Sequence, residues 1–366
     1  MPTNYLPALD PAPIPGPPWL FHVLWVVTFL IHLVFVNAVL GGSLLAALVG
    51  GRRPGARETR SLLVNVNSWA ISFAITFGIG PLLFIQVLFG RFFYSATILV
   101  AWAWFGLVLL LMVAYYLNYV AKFRLRDGKG AGAVLWVEAI LFLAIAAIQV
   151  VINLLHMQPD RWLAVADRAW SALADPAFLP RLLHFVLAAV SMAGALIAWV
   201  AVRRAGKTGE TPELDGMARF GVKAAMGATV LQLIDGFWLL MALPEGVLRA
   251  FMRSGPTTMV PLTLGILAGV LLLLVLAQIH EPLQQAKKVR RVAEFLMGAV
   301  VLMVVTRHQL RAIYLVPARE TEQMAAAPQW GVFALFLVVF LIGVALTIYA
   351  MARAAKDRPE AGEPAA

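Results

Sequence analysis

The chain contains no cysteine among its 366 residues. That excludes disulfides, Cys-ligated iron–sulfur clusters and covalent c-type haem attachment. Charge is also scarce: only 13% of residues are Asp, Glu, Lys or Arg, against 61% hydrophobic. A soluble domain of this length has too little polar side chain to cover its surface at that composition, so membrane class comes first. The mean hydropathy of +0.84 agrees. Acids are scarcest of all, 19 against 29 Lys and Arg. The formal charge of +10 invites nucleic acid as a partner, but excess Lys and Arg in a membrane protein belongs to cytoplasmic loops, and no nucleic-acid partner is expected.

What is present is a series of long apolar runs. They predict helices over 19–49, 62–90, 96–120, 133–155, 178–202, 220–243, 257–279, 292–315 and 330–352, most of them long enough to cross a hydrocarbon core of about 30 Å. The eighth is the least apolar, because Arg307 and Arg311 lie in its last turns. The fold class is therefore an all-α polytopic membrane protein of about nine transmembrane helices. The expected organisation is a Pro-rich external N-terminal segment over 1–18, one transmembrane domain over 19–353 and a cytoplasmic tail over 354–366. No cleavable signal peptide is expected, since Met1–Pro18 lacks a basic n-region. The long loop at 156–177 holds Trp162 and Trp170 and predicts a short interfacial helix.

Twenty of the 29 Lys and Arg fall in the loops after helices 1, 3, 5 and 7 and in the C-terminal tail. Those regions are expected to be cytoplasmic, which places the N-terminus outside and the C-terminus inside a bacterial inner membrane.

This topology sorts the six histidines by depth. His22 and His32 lie in the outer half of helix 1, His156 ends helix 4, His184 begins helix 5 and His308 nears the outer end of helix 8. Only His280 lies at the cytoplasmic end. An imidazole within a membrane is costly unless paired or ligated. A lone histidine at a helix end is ordinarily a hydrogen-bonded interfacial residue, and His22 and His280 fit that role best. His32 and His184 fit it least, embedded in FLIHLVFV and RLLHFVLAAV. Without cysteine and with few acids in the helices, His with Met suggests haem iron. Zinc also accepts histidine, but usually with tight local spacing or a carboxylate.

Asp235, in LQLIDGFWLL, reads as the only carboxylate well inside a span. A functional role, as a proton site, a haem propionate neighbour or an Arg partner, and a plain helix–helix hydrogen bond are even readings of it. Arg181, Arg307 and Arg311 at the outer face suit either carboxylate groups of a cofactor or snorkelling. Gly78–Pro81 is a possible break in helix 2.

The order of these motifs resembles subunit I of the cytochrome bd ubiquinol oxidases. Helix 1 reads HLVFV from His32, where that family has His-Phe-Leu-Phe-Val. LLFIQVLFG ends helix 2, NLLHMQPD ends helix 4, LPRLLHFVLAAV opens helix 5, LIDGFW lies in helix 6 and RHQLRAIYLVP ends helix 8. Each is similar to a family segment in the same order along nearly the whole chain. The resemblance implies haem b, one or more, with haem d possible. It implies His184 as ligand of a low-spin haem and His32 as ligand of a second. Met259 is the nearest candidate for the low-spin haem's other face, and His308 or His156 for the second haem. Arg181 and Arg307 would stand near the cofactor.

There are departures too. The family's helix-3 glutamates are absent from ATILVAWAWFGLVLLLMVAYYLNYV, its glutamate ligand is replaced near Val304 and Val305, and its long quinol loop shrinks to PEGVLRAFMRSG. The expected function is thus a haem-b electron-transfer subunit that takes electrons from membrane quinol to another respiratory subunit or a periplasmic cytochrome. A true bd-type quinol:oxygen oxidoreductase is the second reading, and a haemless scaffold or transporter the third.

Overall fold

The computed structural model describes residues 13–51, 53–316 and 326–356. Residues 1–12 of the expected N-terminal segment and 357–366 of the expected tail lie outside them. Nine long helices occur among the described residues: α1 Pro18–Leu48, α2 Ala56–Leu99, α3 Ala101–Arg126, α4 Gly132–Met157, α6 Phe178–Thr208, α7 Pro212–Met241, α9 Pro256–Ala277, α10 Ala286–Tyr314 and α11 Trp330–Lys356. Two short helices join them, α5 Trp162–Val165 and α8 Glu245–Arg253.

Local chemistry sets many of the boundaries. Pro18 opens α1 and Pro212 opens α7, where a missing N–H costs nothing. The Thr211 hydroxyl also accepts the Leu214 N–H at 3.3 Å, capping α7. Gly209 ends α6 at φ 88°, a conformation that side chains bearing a Cβ avoid.

Eight of the nine helices are long and apolar enough to cross a membrane. The exception is α10, the expected eighth span. At 29 residues it is about 43 Å long, but it carries Lys287, Lys288, Arg290, Arg291 and Glu294 at its start and Arg307 and Arg311 near its end. Its charges do not all face outward: Arg311 is only 2% exposed, and α10 packs against α9 and α6.

Three local expectations need correction. Helix 3 begins at Ala101 rather than 96, because α2 continues to Leu99 and ends at the non-helical Val100. α2 does not break at Gly78–Pro81. It runs through Pro81 and breaks at Phe89 (φ −143°, ψ 24°). A transmembrane helix tolerates an internal proline when neighbours satisfy the freed carbonyl. Finally, the 156–177 loop is not one interfacial helix but two 3₁₀ turns around the single-turn α5. The loop is tied inward: Trp162 Nε1 donates to the Leu155 carbonyl at 2.8 Å, and Arg161 pairs with Asp175 at 2.5 Å.

The main core joins α1, α2, α3, α4, α6 and α7. Helix–helix attraction in lipid rests on close van der Waals packing, so small residues mark the contacts. Gly41 of α1 lies directly against the Ala189 carbonyl of α6. A Cβ on Gly194 of α6 would stand 2.7 Å from Gly221 O and Ala225 N of α7. α11 packs differently, since almost every described side chain on it is exposed.

Candidate functional site

A largely apolar cavity of about 240 Å³ opens among α1, α6, α7, α9 and α10. The polar groups on its wall include Asn37, Arg181, His184, Gln232 and Arg307, and Met303 also lies on it.

His184 sits two turns into α6. Its Nδ1 lies 3.1 Å from Asp235 Oδ2 on α7, and the Asp235 side chain is 5% exposed. Thr229, Gln232 and Asp235 follow at intervals of three, so one face of α7 presents all three toward α6. Thr229 shares a 3.0 Å hydrogen bond with Ser191, and Gln232 Nε2 donates to the His184 carbonyl at 3.4 Å. A carboxylate on Nδ1 fixes the proton there and leaves Nε2 with its lone pair, the arrangement that orients metal-ligating histidines. Of the roles open to Asp235 in the sequence, this contact is the helix–helix hydrogen bond, made to His184.

Three guanidiniums border this region. Arg181 is 6% exposed; its Nη1 donates to Asn153 Oδ1 at 2.9 Å, and the Tyr314 hydroxyl stands beside the same guanidinium. Arg307 lies 4.7 Å over the Phe29 ring and 5.4 Å over Phe185, with Nη1 unpartnered. Arg311 lies 4.1 Å over Trp25, with Nε and Nη1 unpartnered. Burial rules out snorkelling for Arg181 and Arg311. None of the three makes an ion pair among the described residues. A buried cation without an ion-pair partner is costly, and among these three only Arg181 has a carboxylate, that of Asp175, acting on it from a distance.

The other histidines sit nearby. His32 Nδ1 lies 2.8 Å from the Ala74 carbonyl of α2, and its ring rests on Gly78, where an added Cβ would come within 3.0 Å. His32 thus also has its Nδ1 committed, which frees Nε2. His308 Nε2 meets His22 Nδ1 at 2.9 Å, and the His308 ring stacks on Trp25 at 4.9 Å. His22, which suited an ordinary interfacial role, is therefore part of a histidine pair. His156 is 1% exposed, lies beside the Phe92 backbone, and stands edge-on to Phe89 and Phe93. The break at Phe89 places that ring against His22, His156 and Arg311 alike. His280 is apart from these, its carbonyl accepting from Arg219 in a turn.

Met259 does not line the cavity. The inner face of α9 runs Thr258, Leu262, Gly265, and Met259 falls one residue off that stripe. The methionine on the wall is Met303 of α10, whose terminal methyl lies over Gly265. Sequence reasoning missed it, although its position four residues before Arg307 puts both on one helix face. Glu138 was missed as well: it is a second carboxylate inside a span, 0% exposed on α4.

An all-helical multi-pass membrane protein with one histidine, His184, on the wall of its cavity is thus the class defined. Among solved structures, the chain is similar to one described as bd oxidase from Geobacillus thermodenitrificans, with a TM-score of 0.66 at 13% identity over 94% of this chain and 100% of that one. That likeness shows a bd-oxidase-like fold. No family model matches the sequence, and no curated protein does either.

Proposed function

We propose that this protein is a haem-b electron-transfer subunit of a bacterial inner membrane. It would take electrons from membrane quinol and pass them to a partner subunit or a periplasmic cytochrome. The observation that carries the proposal is His184 on the wall of a cavity, held at Nδ1 by Asp235, with the guanidiniums of Arg181 and Arg307, which make no ion pair among the described residues, on the same wall. The donor set fits haem: an imidazole oriented by a carboxylate, a thioether at Met303, and cations suited to two propionates. When bound, the haem supplies reversible one-electron chemistry.

The chain's own residues have separable tasks. Asp235 holds the His184 ring and its Nδ1 proton, and keeps Nε2 available. Arg181 and Arg307 hold carboxylates against the bundle. Apolar walls exclude water and so strengthen both interactions. His32, with Nδ1 tied to Ala74, is the candidate ligand for a second haem. The second reading, a quinol:oxygen oxidoreductase, separates from the first by oxygen uptake with a reduced quinol.

A visible spectrum with haem extraction on purified protein tests the proposal. A protein without Soret absorbance sinks it. The arginines give a graded test. Arg307→Ala should remove one charge-assisted contact of about 1.5–3 kcal/mol, equivalent to a roughly tenfold to hundredfold weaker hold on haem. Haem retention on dilution or against apomyoglobin reads this directly, and Arg307→Lys should recover part of the loss. Equal retention in Arg307→Ala and the parent would separate that arginine from the cofactor.

The orientation has its own check. A periplasm-active reporter fused in the α3–α4 loop near Gly130 should be silent, and a cytoplasm-active one bright. The reverse pattern overturns the inside assignment of the basic loops.

A further inference from the structure

Glu138 is buried in the bundle away from the histidine region. It is the seventh residue of α4, about 9 Å along the helix from its start. Its Oε1 accepts from Ser43 Oγ of α1 at 3.2 Å, and Ser43 in turn accepts from Asn67 Nδ2 of α2 at 2.9 Å. Nearby, Asn118 of α3 donates to Ser68 Oγ and to the Val64 carbonyl of α2. Three oxygens in this group have no partner: Glu138 Oε2, Asn67 Oδ1 and Asn118 Oδ1.

Among the described residues, no cation pairs with the carboxylate. Around it, α1 offers Ser43, α2 offers Asn67 and Ser68, α3 offers Asn118, and α6 contributes apolar residues such as Ala193 and Ile197. None of these carries a charge or titrates; further along, Tyr115 of α3 donates to the Ser68 carbonyl and Arg60 of α2 to the Ala46 and Val49 carbonyls. An ionised carboxylate with only the Ser43 hydroxyl and the Asn67 amide beside it, and no counter-ion among the described residues, is among the costliest arrangements in a protein interior. One proton resolves it: Oε2 becomes a donor, and an unpartnered acceptor, Asn67 Oδ1, belongs to the same cluster.

The placement suggests a use. Arg124, Arg126 and Lys129 close α3 and lead into α4 at the near end. In the other direction, Asn37 lies six residues before Ser43 on α1, about 9 Å along the axis, and lines the His184 cavity with its own Oδ1 unpartnered. Glu138 therefore stands between the end bearing the basic loops and the cavity.

We infer that Glu138 is a proton-exchange site, a neutral carboxylic acid that gives its proton toward the cavity and is reloaded from the basic-loop end. The step is a plain proton exchange: the O–H bond breaks, the carboxylate keeps the electron pair, the proton passes to a water on the cavity side as hydronium, and a hydronium from the loop side reprotonates the carboxylate and leaves as water. The coupling to charge in the cavity rests on the haem reading above; the protonated state does not.

Infrared spectroscopy of the intact protein tests both parts. At neutral pH the parent should show the carbonyl stretch of a protonated carboxyl. That band should disappear in Glu138→Gln and shift, without disappearing, in Ser43→Ala and Glu138→Asp. Moving to D₂O should shift it as the proton exchanges. A parent without the band, or Glu138→Gln retaining it, overturns the assignment. So does a band that sodium or potassium abolishes, since the site would then hold a metal cation. A band that never shifts in D₂O makes the acid structural and overturns exchange. In haem-loaded protein, reduction should perturb the band; a loaded protein whose band ignores reduction overturns the coupling alone.

Discussion

Replacing His184 with alanine is expected to abolish the low-spin haem signal, with more than nine-tenths of its absorbance lost. The imidazole is the cavity's only histidine among the described residues, and its orientation is set from one direction by Asp235 at 3.1 Å. Asp235→Asn should give the intermediate result. It keeps the side chain's shape but removes the charge that favours Nδ1–H, and such outer partners are worth about ten- to hundredfold in metal affinity. Met303→Leu should change the low-spin spectrum, whereas Met259→Leu should not, because Met259 lies off the wall. A spectrum unchanged in His184→Ala would refute the assignment while leaving the fold untouched.

The second large effect concerns assembly of the bundle. Gly41→Ala and Gly194→Ala are each expected to destabilise the folded protein by about 1–3 kcal/mol or more, the range for overpacking a tight contact. The neighbour in each case is backbone, the Ala189 carbonyl for Gly41 and Gly221 and Ala225 for Gly194, so no side chain can swing aside. The control is Gly227→Ala on α7, where an added methyl meets nothing within 4 Å. There the change should be neutral or stabilising by up to about 1 kcal/mol through helix propensity. Thermal melts in detergent, followed by intrinsic tryptophan fluorescence, distinguish the three. Equal melting temperatures would overturn the close packing of the α1–α6 and α6–α7 seams.

The comparison of sequence with structure divides along a physical line. Apolar run length reports on one segment at a time, because each span must bury its own backbone hydrogen bonds in lipid. That is why eight spans were legible from hydropathy and why α10, whose charges are partly sheltered by neighbours, was the least clear. The embedded positions of His32 and His184 were legible for the same reason: an imidazole inside an apolar run needs an explanation wherever the chain folds.

Pairings were not legible. Asp235 lies 51 residues from His184, and only the approach of α6 to α7 through Gly194 and Gly221 lets one orient the other. His22 and His308 are 286 residues apart and meet because α1 and α10 pack together. Met259 and Met303 look equally suitable in sequence, and the rotation of α9 against α10 decides between them. Glu138 was passed over because it sits near the end of its run, where an acid ordinarily reaches water; Ser43 and Asn67 show that it does not. By itself, then, the sequence determined a multi-pass helical membrane protein and two unusual histidines, since hydrophobicity and length act locally. Which side chains share a site was decided only by the tertiary structure, because helix rotation and close packing at small residues are properties of pairs of helices.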